Sequence, residues 1–249
     1  MDNYKITMAY DGRRYKGWKA TTRIEDDKTI EGKVTAVLSK LYETKVDVIG
    51  AVNTDAGVHA KNQVANFKAP TNEFNDKHLY NYLNEYLPED IVVKYVEKVD
   101  ERFQSKLLVE SITYEYRLWK RDSKERALFE RQYVNTMDKR LNVEKMRQGA
   151  ERLVGKHDFA GFSSKCNKKS STKTINEIEI KETDNELIIV VNANGFLFNM
   201  VRIIAGTLIQ LGLNEREINS IDRALSTKNR EDAGHKAMAH ALCLTEVKY

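Results

Sequence analysis

Residues 29–52 read TIEGKVTAVLSKLYETKVDVIGAV, a stretch in which a helical period hands over to a strand. Ile30, Val34, Val37, Leu38 and Leu41 recur at steps of four, three, one and three, so they share one face of an amphipathic helix over residues 29–44. Residues 46–52 then read as a buried strand. Upstream, residues 4–10 set Ile6 and Met8 on one side and Lys5 and Thr7 on the other, a strand ending at the turn Asp11-Gly12. Downstream come a strand over 62–67, a helix over 75–86 stopped by Leu87-Pro88, and a strand over 91–99. The order strand, helix, strand, strand, helix, strand is the split βαβ unit of ferredoxin-like folds.

The chain then repeats this order. A strand with alternating aromatics covers 109–119, and a helix over 143–154 sets Met146, Ala150 and Leu153 on one face. A strand pair covers 175–181 and 186–191, followed by helices over 196–213 and 218–225 and a closing strand over 242–249. The expected fold class is therefore α+β, two ferredoxin-like lobes with antiparallel sheets. The first lobe is expected over residues 1–104 and the second over 105–249.

Composition narrows the classes further. Of 249 residues, 41% are apolar and 31% charged, which excludes a disordered chain, and the length excludes a small stapled scaffold. Two cysteines, Cys166 and Cys243, are too few for a disulfide framework and too far apart for a CxxC pair. A reducing compartment is the expectation, and the polar N-terminus, with no apolar secretory signal, makes the cytoplasm the expected location. The low-charge stretch 187–214 is interrupted by Asn192, Asn194, Gly195 and Asn199, so no membrane span is expected. No P-loop, GxGxxG, HExxH or Cys/His ligand spacing occurs, so neither a nucleotide cofactor nor a metal is indicated.

The net charge of +4 is too small to announce a nucleic-acid partner, so any basic face must come from clustering. Arg13, Arg14, Lys16 and Lys19 interleave with Tyr10, Tyr15 and Trp18, and Lys165, Lys168, Lys169 and Lys173 form a second cluster. The loop 53–59 sets Asp55 and His59 at a sheet edge, where a turn-forming aspartate and a satisfied buried histidine are the plain alternatives to a catalytic pair. Arg202 is the one charge in its apolar helix, which calls either for a carboxylate partner or for an outlet to solvent. Tyr114 and Tyr116 project to one face of their strand, as base-stacking rings or as core.

These residues also carry a resemblance. Gly50-Ala51-Val52-Asn53-Thr54-Asp55-Ala56-Gly57-Val58-His59-Ala60, with Gln63-Val64 after it, resembles the aspartate motif of the bacterial TruA-type tRNA pseudouridine synthases. Tyr10-Asp11-Gly12, Gly17-Trp18, Thr113-Tyr114-Glu115-Tyr116, His157-Asp158-Phe159, Asn192-Ala193-Asn194, Met200-Val201-Arg202, Gly206-Thr207 and Ala239-His240 extend the likeness over the whole chain.

The resemblance implies the pseudouridine synthase fold, with a catalytic cleft between the lobes, and a cofactor-free, metal-free isomerase acting on the anticodon arm of tRNA. It implies Asp55 as the catalytic carboxylate, Tyr114 against the target base and Arg202 as the ion-pair partner of Asp55. Asn53, His59 and Lys106 are implied as further substrate contacts, and a homodimer as the assembly. The chain departs from the family pattern at Asn53, which stands where the family has arginine, at residues 103–109 around Lys106, and at Phe198-Asn199, which replaces a histidine pair. A weakly active or inactive RNA-binding or chaperone-like paralogue is the alternative function, and a synthase for another RNA or a shifted uridine is a second.

Overall fold

The computed structural model describes residues 1–19, 28–71, 74–165 and 171–249. In chain order these form β1 (Asp2–Tyr10), α1 (Ile30–Leu41), β2 (Val48–Gly50), β3 (His59–Ala69), α2 (Asp76–Tyr86), β4 (Ile91–Val99), β5 (Ser111–Trp119), β6 (Asn135–Thr136), α3 (Val143–Glu151), β7 (Gly155–Asp158), β8 (Thr172–Glu182), β9 (Glu186–Ala193), α4 (Met200–Gly212), α5 (Asn219–Thr227) and β10 (Leu242–Lys248). Two compact units divide them, Met1–Glu110 with Leu244–Tyr249 and Ser111–Cys243. The division thus falls after 110, beside an expectation of 104, and the first unit recovers the end of the chain. A hydrogen bond from the Glu110 amide to the Lys248 carbonyl, 2.9 Å, ties these two segments together.

The first unit has strand order β4-β1-β3, with β2 paired antiparallel to β3, the order that the split βαβ pattern requires. Since β1 takes one edge of β3, β2 and β10 share the other: β2 lies along Ala65–Phe67, while Asn62 Nδ2 donates to the Thr245 carbonyl at 2.7 Å. Thr29 caps α1 by accepting from the Gly32 amide, and Asn75 caps α2 by accepting from the His78 amide. Ile30, Val34 and Leu38 of α1 and Leu79 and Leu83 of α2 are fully buried, as the periodicity requires. Each such leucine contributes roughly 1.5–3 kcal/mol. Strand β2 is shorter than the apolar run 46–52 suggests, because the Val46 amide donates to Ser39 Oγ, 3.0 Å, instead of to a neighbouring strand.

The opposite face of this sheet carries a strap. Asn3 is 2% exposed and donates to the carbonyls of Asp100 and Phe103, while Asn66 donates to Asn3 and accepts from the Ser105 amide. Ser105 Oγ also donates to the Ile49 carbonyl at 2.6 Å, and the Tyr249 hydroxyl donates to the Ser105 carbonyl at 2.8 Å. The chain therefore leaves the strap at Lys106 from a fixed point.

In the second unit β5, β9, β8 and β7 pair in that order, antiparallel, and β6 adds in parallel to the end of β5. Tyr114, Tyr116 and Leu118 occupy the buried face of β5, and α4 is buried along almost its whole length. The helix begins at Met200, not at Phe196, because Asn199 adopts a left-handed backbone with φ of 61°. Phe196, freed from the helix, packs edge-on against Tyr114 with ring centres 5.4 Å apart. Gly206 lets the segment 233–237 cross α4: an added Cβ would lie 1.9 Å from the His235 carbonyl oxygen. The crossing is held by Gly234 N–H to Thr207 Oγ1, 2.8 Å, and Ala237 N–H to the Arg202 carbonyl, 3.0 Å. Gly206→Ala is expected to destabilise the protein by about 3 kcal/mol, since backbone must move to admit the methyl. A lowered urea midpoint at unchanged m-value would show it.

Candidate active site

The segment joining β2 to β3 carries Asn53 and Asp55, and His59 follows directly as the first residue of β3. Asn53 is exposed, Asp55 half-buried and Thr54 buried. Its backbone is fixed from several directions. Tyr10 Oη and Thr54 Oγ1 share a hydrogen bond of 2.8 Å, Gln63 Nε2 donates to the Val52 carbonyl at 2.8 Å, and the Trp18 amide donates to the Thr54 carbonyl at 3.0 Å. The Gly57 amide donates to the Tyr15 carbonyl at 3.3 Å, and the Val58 amide closes a turn onto the Asp55 carbonyl at 3.1 Å. Gly17 lies directly on this loop with φ of 96°; a Cβ there would stand 2.3 Å from the Thr54 oxygen and 2.9 Å from the Asp55 carbonyl carbon. A half-buried carboxylate on a backbone determined from both sides is suited to chemistry that depends on its placement.

His59 opens β3 and is 5% exposed. Its Nδ1 accepts from the Gly12 amide at 3.2 Å, and Asp11 Oδ1 lies 3.3 Å from the same nitrogen. Asp11 is itself held by Arg13, whose Nε lies 3.0 Å from each carboxylate oxygen. Lys106 is exposed beyond the strap.

The basic cluster at 13–19 is differently built from its sequence pattern. Tyr10, Tyr15 and Trp18 are 5%, 6% and 0% exposed, so they are core and offer no stacking face. The Tyr15 hydroxyl donates to Asp90, and burial followed by that carboxylate pushes its phenol well above the ordinary value. Arg14 is largely exposed, 3.6 Å from Asp90, and Lys19 lies 3.4 Å from Glu31, whose carboxyl is raised by burial against the opposing pull of that ammonium. The cations therefore line a surface whose aromatics face inward.

Tyr114 and Arg202 belong to the second unit. Tyr114 is 5% exposed beside Phe196, and Tyr116 is fully buried. Burial pushes the Tyr116 phenol up, and the Arg202 charge acts in the opposite sense. Arg202 sits in the first turn of α4, half-buried; its Nε donates to the Ala237 carbonyl at 2.8 Å and its Nη1 to Asn199 Oδ1 at 3.2 Å. The guanidinium is thus held by two anchors within its own unit. Of the second lysine cluster, Lys165 lies over the Phe198 ring at 5.3 Å, whereas Cys166, Lys168 and Lys169 fall outside the described residues. Sequence reasoning noted Gln63, Gly17 and Asn199 only as points of likeness or departure from the family pattern and gave them no part in the site's frame. A glycine in a cluster of aromatics and an asparagine just before an apolar helix were the signals available.

Among the described residues no helix is long and apolar enough to cross a membrane, and no three His, Cys, Asp or Glu side chains group as a metal site.

The tRNA pseudouridine synthase family matches residues 150–249. The chain is 40% identical to tRNA pseudouridine synthase A 2 of Bacillus anthracis, over 100% of both chains. It is 43% identical to tRNA pseudouridine synthase A 1 of Clostridium tetani, again over 100% of both. A chain of the archaeal box H/ACA sRNP Nop10–Cbf5 crystal structure covers 97% of this chain and 47% of its own, at a TM-score of 0.38 and 13% identity, too loose a likeness to inform the site. Full-length identity of this order to named enzymes settles the family: the chain belongs to the TruA-type tRNA pseudouridine synthases, isomerases that act on tRNA.

Proposed function

We propose that this isomerase converts uridine to pseudouridine on the 3′ side of the tRNA anticodon stem-loop, with Asp55 as its catalytic carboxylate and without cofactor or metal. The observation that carries the reading is the Asp55 loop, whose half-buried carboxylate stands on a segment held at Thr54 by Tyr10 and Trp18, at Gly57 by Tyr15, and closed by the Val58 amide onto the Asp55 carbonyl. The reaction is an isomerisation: the C1′–N1 bond breaks, the uracil turns, a C1′–C5 bond forms, and the C5 proton is lost to solvent while N1 gains one. The departing base is its own nucleophile, so no group carrier is needed. The uridine must leave the stack before a side chain can reach C1′ or C5, at a cost of roughly a few kcal/mol. In this reading Tyr114 packs against the extruded base and Arg202 supplies the cation paired with the aspartate. Asn53 and Lys106 contact the RNA, and the working assembly is a homodimer.

Incubation with tRNA carrying [5-³H]uridine is expected to release tritium, with the modified position mapping to the anticodon arm. No release above a protein-free control would overturn the reading, and release confined to other arms would overturn its target. Asn53, exposed where the family has arginine, favours the second reading, a paralogue that binds tRNA with weak catalysis. Binding without release would select it.

A further inference from the structure

The segment 12–18 runs against the Asp55 loop in the opposite direction. Trp18 bonds Thr54, Tyr15 bonds Gly57, and Gly12 meets Val58 so closely that a Cβ on Gly12 would lie 1.9 Å from the Val58 carbonyl oxygen. Gly17 makes the corresponding backbone approach at the Thr54 end. At the Gly12 end the seam is secured by a side chain, that of His59.

We propose that His59 is a positioning residue for Asp55 and not an RNA contact. The inference rests on the reading of Asp55 as the catalytic carboxylate. The imidazole is 5% exposed, which leaves little of it for a substrate to touch. An amide N–H can only donate, so the 3.2 Å bond from Gly12 requires a bare lone pair on Nδ1, and the neutral ring carries its proton on Nε2. Asp11 Oδ1, 3.3 Å from the same nitrogen, gains a hydrogen bond there only if Nδ1 itself carries the proton, in the other neutral tautomer or in the imidazolium, and either would break the bond to Gly12. Arg13 occupies both oxygens of Asp11 and so holds that carboxylate in place beside the neutral ring. His59 thereby fixes the spacing between the turn at Gly12 and the C-terminal end of the loop, and through Val58 and its bond to the Asp55 carbonyl it sets the height of the aspartate.

The test is a set of full-length variants assayed by tritium release. His59→Leu is expected to lower kcat by about 10- to 100-fold, as displacement of a reacting group by about an ångström does. KM for tRNA should stay within about twofold, because no binding contact is lost. Asparagine places an acceptor oxygen near the position of Nδ1, whereas glutamine places its amide near Nε2. His59→Asn should therefore recover most of the turnover and His59→Gln should not. A raised KM at unchanged kcat in His59→Leu would identify an RNA contact and overturn the inference. So would equal turnover in the Asn and Gln variants, a comparison that holds even if His59→Leu fails to fold. Asp55→Asn run in parallel separates the two readings. If it keeps wild-type turnover, the assignment of Asp55 is lost; if it is inactive while His59→Leu behaves as wild type, this inference alone is lost.

Discussion

Asp55→Asn is expected to abolish tritium release from uridine-labelled tRNA while leaving the fold intact. The loop is held by backbone bonds of Thr54, Gly57 and Val58 and by the side chains of Tyr10 and Gln63, none of which uses the Asp55 carboxylate. Asparagine keeps the shape and removes the charge and the basic oxygen. Whichever step the carboxylate serves, loss of a positioned base or nucleophile lowers kcat by at least about 10²–10⁴-fold. The measurement is single-turnover release at saturating tRNA, beside urea melts of both proteins. Residual turnover above about a tenth of wild type would remove Asp55 from the chemistry.

Arg202→Met is expected to reduce both turnover and stability. Within its own unit the guanidinium satisfies the Ala237 carbonyl and Asn199 Oδ1, and Asn199 is 5% exposed with a left-handed backbone. Removing the donor leaves two poorly solvated acceptors and costs about 1–3 kcal/mol. Arg202→Lys should restore little, because an ammonium on a linear stem does not reproduce a planar fork spanning two acceptors. Turnover should fall by about 10²-fold or more, the scale seen when one charge-stabilising donor is deleted from an active site. If the cation also serves Asp55, stability losses in the Asp55→Asn/Arg202→Met double variant will be less than additive. Strict additivity would confine Arg202 to its anchors at Ala237 and Asn199.

Much of this was legible in the amino-acid string, for identifiable reasons. Helices α1 and α2 could be read because Ile30, Val34, Leu38, Leu79 and Leu83 bury one stripe each, and their caps are ordinary Thr and Asn. Strand β4 was read to the residue because Ile91 and Val93 alternate with exposed neighbours. The short strand β7 was not, since Lys156, His157 and Asp158 have no apolar alternation and are held there by pairing with β8. The start of α4 was placed four residues early because Phe196 and Leu197 extend its apolar pattern, while the left-handed turn at Asn199 is a backbone property. At the site, Asp55 stood out through its motif, but Tyr10 and Trp18 looked like surface aromatics among cations. Their burial comes from contacts with residues more than thirty positions away, such as Thr54 and Gly50, which no local window contains.

The return of Leu244–Tyr249 to the first unit has a consequence for synthesis of the chain. On the ribosome, β1 through β4 emerge first, yet the flank of β3 beside Asn62 stays open until residues 244–248 are translated. A nascent chain therefore carries an incomplete sheet through the production of well over a hundred further residues, and its completion is a late, long-range event of the kind that slows folding. Premature termination within the last strand should leave the aspartate loop translated but its supporting sheet unfinished, a product for chaperones or proteases to handle.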